Sequence, residues 1–138
     1  MENSIQKSSR ALNVTLWIAQ LVLAAMFLMA GFMKVATPID KLAAQLPFVT
    51  DMPEALVKFI GVSEVLGALG LLLPSILKIQ PQLTVLAARA FILLMVLALA
   101  FHVSRGEFSA IGTNLFLGAI AFFISWGRSK KEVIHARA

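Results

Sequence analysis

Four long apolar runs constrain this chain more than any other feature. They lie at about Leu12–Met33, Leu56–Leu73, Leu83–His102 and Ser109–Trp126. A run of about 20 mostly apolar residues is long enough, as a helix, to cross the hydrocarbon core of a bilayer. A backbone in lipid must satisfy its own hydrogen bonds, so spans of this length fold as helices. The composition agrees. Of 138 residues, 59% are hydrophobic and 14% are charged, against about 25% charged in a soluble domain. The expectation is an all-α integral membrane protein: a single domain over 1–138, built as an antiparallel four-transmembrane-helix bundle.

The charges sit at the ends of the apolar runs. The net charge of +5 does not form a basic stripe interleaved with aromatics, which argues against nucleic acid as a partner. It fits the enrichment of Lys and Arg on the cytoplasmic side of membrane proteins. With the N-terminus inside, Lys7, Arg10, Lys78, Arg128, Lys130, Lys131 and Arg137 fall on the inner side. Lys34, Lys41, Lys58 and Arg105 fall on the outer side. Both termini are therefore expected in the cytoplasm, with 127–138 as a basic tail. Trp17 and Trp126 come to the inner interface, where aromatic rings anchor. The first run comes after Lys7 and Arg10, but at about 20 residues it exceeds a signal-peptide core. It is expected to be retained.

The first outer connection is the longest. In Thr37-Pro38-Ile39-Asp40, Thr37 suits a cap, Pro38 a first helical position and Asp40 a first turn. Leu42 and Leu46 then share a face, and Pro47 and Pro53 interrupt any longer helix. This pattern predicts a short interfacial helix over the outer mouth of the bundle.

Ionisable groups at membrane depth are costly and mark candidate sites. Glu64 falls about eight residues into the second run, or about 12 Å deep at 1.5 Å per residue. Its helical neighbours Gly61, Gly67 and Ala68 are small, which places it on a packed face. Arg89 falls about six residues into the third run, roughly 9 Å from the inner surface. It keeps its proton and so needs a partner or water. Asn13, Gln20 and Lys34 share a face of the first run, and Asn114, Gly118 and Ser125 mark the fourth. His102 ends the third run on the outer side. It stands about 140° around an ideal helix from Arg89, so the two cannot both face one bundle axis.

These positions predict an outer polar pocket of Glu64, Asn114 and His102, with Lys34 at the rim as a snorkelling residue. Gln20 and Arg89 would form a deeper layer. Glu64 has two alternative cations. A pairing with Arg89 makes it a structural anchor, whereas Lys34, His102 or a ligand makes it part of a site. Lacking cysteine, the chain has no thiolate chemistry and no Cys-bound metal. No metal site or intrinsic cofactor is expected.

Three segments also carry a family resemblance: MFLMAGFMKV at the end of the first run, SEVLGALGLLLP in the second and ALAFHVSRGE at the end of the third. In order and spacing they resemble the DoxX-like family of small bacterial membrane proteins, over roughly Leu12 to Trp126. The positions that match the family pattern are Gly31, Lys34, Glu64, Gly67, Gly70, Pro74, His102 and Asn114. The resemblance implies a four-helix bundle in the bacterial inner membrane. Some members of the family are linked to quinone-coupled sulfur oxidation or oxidative-stress complexes, and the cysteine chemistry of related thiol oxidases does not carry over. Two functions are left open. One is binding of a quinone, a lipid or a partner subunit, with a homo-oligomer or membrane complex as the assembly. The other is an enzyme, or the membrane subunit of a quinone-coupled oxidoreductase, in which Glu64 and His102 transfer protons. The bland alternative is a Glu64–Arg89 pair with no ligand.

Overall fold

The computed structural model describes residues 9–138; Lys7 lies outside them. The described chain is helical. It comprises α1 (Arg10–Ala36), α2 (Ile39–Gln45), α3 (Glu54–Leu77), α4 (Gln82–Ser104) and α5 (Ser109–Trp126). A 3-10 turn covers Pro47–Asp51, and a π-helical turn, Gly127–Lys131, extends α5. The four long helices, with the turn after α5 included, are long and apolar enough to cross a membrane. Large apolar side chains such as Phe32, Met29, Phe59 and Phe122 are about two-thirds exposed. On a helix bundle such residues face lipid, while the smaller and polar residues face inward. The chain is a multi-pass membrane protein.

The inward faces obey helical spacing. On α1 the buried residues include Leu16, Gln20, Leu23, Phe27, Gly31 and Lys34, and on α3 Val57, Gly61, Glu64, Ala68, Leu71 and Ser75. These alternate by three and four, the spacing of one helix face. α1 packs chiefly on α3, α3 on α4, and α4 on α5, with a shorter contact closing α5 onto α1. Phe27 of α1 stacks on Phe91 of α4 with ring centroids 3.9 Å apart. The stack lies within the main apolar core with Leu23, Ala68, Leu71, Ala88 and Ala121. Polar groups lie on either side of it, toward the two ends.

One end carries the start of α1, the C-terminal residues and the α3–α4 turn. The other is covered by α2 and the 3-10 turn, whose Leu42 and Val49 bury against Val57 of α3 in a small core of their own. The short helix expected in this loop is present, with one correction. Thr37 does not cap it. Its N–H instead closes α1 onto the Met33 carbonyl at 3.0 Å, and Pro38 precedes α2 with no side-chain cap. Lys58 supplies a further stop for α1, donating to the Val35 and Thr37 carbonyls at 3.1 and 2.9 Å. A cation there also opposes the negative end of the helix.

Candidate functional site

The site begins where two helices touch backbone to backbone. A Cβ on Gly31 would fall 2.6 Å from the Gly61 carbonyl oxygen, and one on Gly61 would fall 2.8 Å from the Lys34 Cβ. Only glycine at both positions allows α1 and α3 to approach this closely. One turn further along each helix come Lys34 and Glu64. The Lys34 Nζ lies 2.8 Å from Glu64 Oε2 and 3.1 Å from Oε1. Both side chains are more than nine-tenths buried. An isolated charge at this depth would be very costly, and the mutual contact offsets that cost.

This geometry answers which cation Glu64 meets. It is Lys34, not Arg89, so the anchor reading with Arg89 does not hold. Nor does Lys34 snorkel to a rim. The glycine contact holds its backbone against α3 and the ammonium turns inward. Arg89 is solvent- or lipid-exposed and donates to Ser125 Oγ at 3.4 Å. The angular conflict between Arg89 and His102 resolves the same way. α4 runs as an α-helix to Ser104, so one residue faces in and the other out.

The ion pair forms part of the wall of a cavity of about 700 Å³ at the covered end. His102 and Asn114 line the same cavity. Phe27, Phe59 and Phe101 line it, and Phe48 and Met52 come from the covering loop. Most of the lining is therefore aromatic or aliphatic, with a few convergent polar groups, which is the usual make-up of a small-molecule site. The Asn114 Nδ2 is buried and has no hydrogen-bond partner. Lys34 carries three N–H donors, and its carboxylate partner has only two oxygens. The wall therefore has donor capacity to spare for an acceptor-bearing guest.

His102 is placed by the end of α4. Gly106 takes a φ of 71°, which L side chains rarely adopt. The Glu107 N–H then returns to the His102 carbonyl at 2.9 Å and the Gly106 N–H to that of Val103 at 3.0 Å, a Schellman termination. This turn swings the Glu107 carboxylate to 2.6 Å from His102 Nδ1 and 2.9 Å from Arg105 Nε. The His102 hydrogen bond, then that of Arg105, holds the Glu107 carboxyl below its ordinary value of 4.5. Arg105 also pairs with Asp51 of the covering loop, and Phe48 meets the His102 ring edge to face at 5.4 Å. The cover over the cavity is thus tied to the α4–α5 turn.

Gln20 is not in this site. It lies beyond the Phe27–Phe91 stack, donating to the Leu71 carbonyl at 2.7 Å and accepting from Arg128 Nε at 2.6 Å. Its cation is thus Arg128 rather than Arg89. Arg128 is a residue that the tail assignment of 127–138 passes over. It is 3% exposed, donates to Asn13 Oδ1 at 2.7 Å and lies over the Trp17 ring. The sequence does carry a signal for it. Arg128 falls within one turn of the last apolar run, where a helix can simply continue. Among the described residues, no group of three or more His, Asp or Glu side chains is placed to hold a metal ion.

The model of the DoxX-like family covers residues 18–124, more than three quarters of the chain and every residue of the cavity wall. No curated protein and no solved structure matches. With its four spans, its buried Lys34–Glu64 pair and this match, the chain belongs to the DoxX-like family.

Proposed function

We propose that the chain binds a small lipophilic molecule in the cavity beside Lys34 and Glu64, and that a quinone is the guest that fits best. One observation carries this reading. A buried ion pair and a buried, unpartnered Asn114 amide share the wall of an otherwise apolar cavity. A quinone has a flat ring for the aromatic walls and carbonyl oxygens for the spare donors. A lipid with an ester carbonyl is the other guest of this chemistry. The distribution of Lys and Arg supports a bacterial cytoplasmic membrane with both termini inside. The cavity then opens toward the outer half of the bilayer.

The test uses the full chain in neutral detergent with short-tailed ubiquinone and menaquinone analogues. Saturable binding is expected by thermal shift and by native mass spectrometry. Asn114→Leu, which removes the free amide but leaves the ion pair, is expected to weaken binding by roughly tenfold, the worth of about one good hydrogen bond. An absence of saturable binding, or equal binding by the variant, would overturn the proposal.

A second reading is favoured by Glu64 and His102 lining one cavity. They would pass protons to a quinone reduced by a partner subunit. In that case His102→Gln slows quinone turnover in native membranes while quinone affinity is unchanged. Equal turnover by the variant excludes it.

A further inference from the structure

The end that carries the α3–α4 turn has a cavity of its own, of about 310 Å³, separate from the one beside Glu64. Arg89, Arg128, Ser75, Ser129 and Gln82 are among the residues of its wall. Arg128 is nine-tenths or more buried, and its fork is only partly used. Nε donates to Gln20, Nη1 donates to Asn13 and to the Glu132 carbonyl, and Nη2 is buried with no partner. Arg89 has its one hydrogen bond through Nε, at 3.4 Å, and no carboxylate lies within ion-pair distance of it among the described residues. Its two terminal nitrogens remain available. The Glu132 carboxylate acts on Arg128 through its charge and lines a neighbouring cavity that Arg128 also borders, where its Oε1 accepts the Ser9 N–H at 2.6 Å.

A third positive element converges here. Pro81 and Gln82, also in the wall, open the 23-residue helix α4, and no side chain caps that end. The Leu83 and Thr84 N–H groups return to the Gln80 and Pro81 carbonyls, so this helix start contributes chiefly the positive end of the helix dipole. Two guanidiniums lining one cavity, one of them with a buried unpartnered nitrogen, beside a helix start form a recognition set for a tetrahedral oxyanion, with the Glu132 carboxylate the acidic group that acts on Arg128. Val85 and Leu86 make the rest of the wall apolar.

We infer that this cavity binds a phosphate group, held between Arg89 and Arg128 at the start of α4. The phosphate has two sources. The cavity lies at the end of the spans, where headgroups of an anionic phospholipid sit, and free phosphate has the same chemistry. The site is independent of the quinone reading, since it shares no residue with the other cavity.

The experiment uses the full chain, delipidated in neutral detergent. Its probes are dioleoyl phosphatidylglycerol, dioleoylglycerol (the same acyl chains without phosphate) and inorganic phosphate. Phosphatidylglycerol is expected to raise the thermal midpoint and to survive as a one-to-one adduct in native mass spectrometry, and dioleoylglycerol to do neither. Arg89 is exposed, so Arg89→Gln spares the core. It is expected to weaken the phosphatidylglycerol effect by roughly tenfold, as loss of a charge-assisted contact would. Lys130→Gln with Lys131→Gln removes two exposed charges at the same end and is expected to change binding less than about twofold, because exposed charges are screened. An Arg89-dependent shift with inorganic phosphate alone identifies a soluble anion. A shift with phosphatidylglycerol only identifies the headgroup. If Arg89→Gln binds as well as the parent, or if the lysine variant loses as much as Arg89→Gln, the attraction is diffuse and the assignment fails.

Discussion

At the covered end of the bundle, Lys34 meets a full countercharge in Glu64, and about 700 Å³ beside the pair is left open. At the opposite end, Arg128 feels the charge of the Glu132 carboxylate without a direct hydrogen bond to it. Its direct hydrogen bonds go to three neutral acceptors: Gln20 and Asn13 of α1, and the Glu132 carbonyl. Both ends hold a cation at membrane depth, and the difference is how many residues each one recruits. A carboxylate neutralises a cation with one residue, which leaves neighbouring positions free to be Phe, Met and Leu around a cavity. A cation served by neutral dipoles needs several of them, and the cavity between Arg128 and Arg89 is smaller, about 310 Å³. The Phe27–Phe91 stack separates the two arrangements.

The strongest test of this contrast is to remove one charge. Lys34→Met leaves the Glu64 carboxylate buried without a partner and is expected to cost about 3–5 kcal/mol. The double variant Lys34→Met, Glu64→Leu is expected to return most of that loss. Unfolding of both in mixed micelles checks it, and equal losses would mean that the pair is not coupled. At the other end, Gln20→Leu strands one Arg128 N–H but leaves Asn13 in place. The expected loss is smaller, about 1–3 kcal/mol.

The close approach of α1 and α3 gives a third test. Gly61→Ala puts a methyl 2.9 Å from the Gly31 carbonyl oxygen. It is expected to cost about 1–3 kcal/mol through overpacking. Gly112→Ala, where a Cβ meets nothing within 4 Å, is expected to be neutral or to stabilise by up to about 1 kcal/mol through helix propensity. Thermal midpoints of the two variants separate packing from propensity.

The smallest effect concerns the cover. The Glu107 carboxyl lies below its ordinary 4.5 because His102, then Arg105, hydrogen-bonds its ionised form. A lowered acid stabilises the fold above its unfolded value and loses that contribution as pH falls through its folded one. Acidification from neutral pH toward and below 4.5 is therefore expected to loosen the α4–α5 turn and the covering loop that Arg105 ties to it. Glu107→Gln is expected to flatten this part of the thermal midpoint's pH profile, and a profile unchanged by the substitution would refute the coupling.

Much of the fold was legible from residue order. The four apolar runs match the spans to within a few residues, because lipid permits few backbone structures. Gly61 and Ala68 correctly placed Glu64 on a buried face, since small residues mark where helices meet. The cation for that carboxylate was not legible. Depth alone put Arg89 and Lys34 within reach, and depth says nothing of azimuth on a partner helix. Arg128 was missed for a related reason. Its place one turn past the apolar run reads as tail unless the helix is known to continue.

Residue order alone therefore settled the membrane, the number of spans, the buried face that carries Glu64 and the family. These depend on local periodicity and hydropathy, which one chain carries along its length. The pairings emerged only from the packed bundle: Lys34 with Glu64, Gln20 with Arg128, and His102 with Glu107. Each depends on how far two helices approach and rotate. At Gly31 and Gly61 that distance is set by the absence of two side chains, whose consequence appears only when the helices touch.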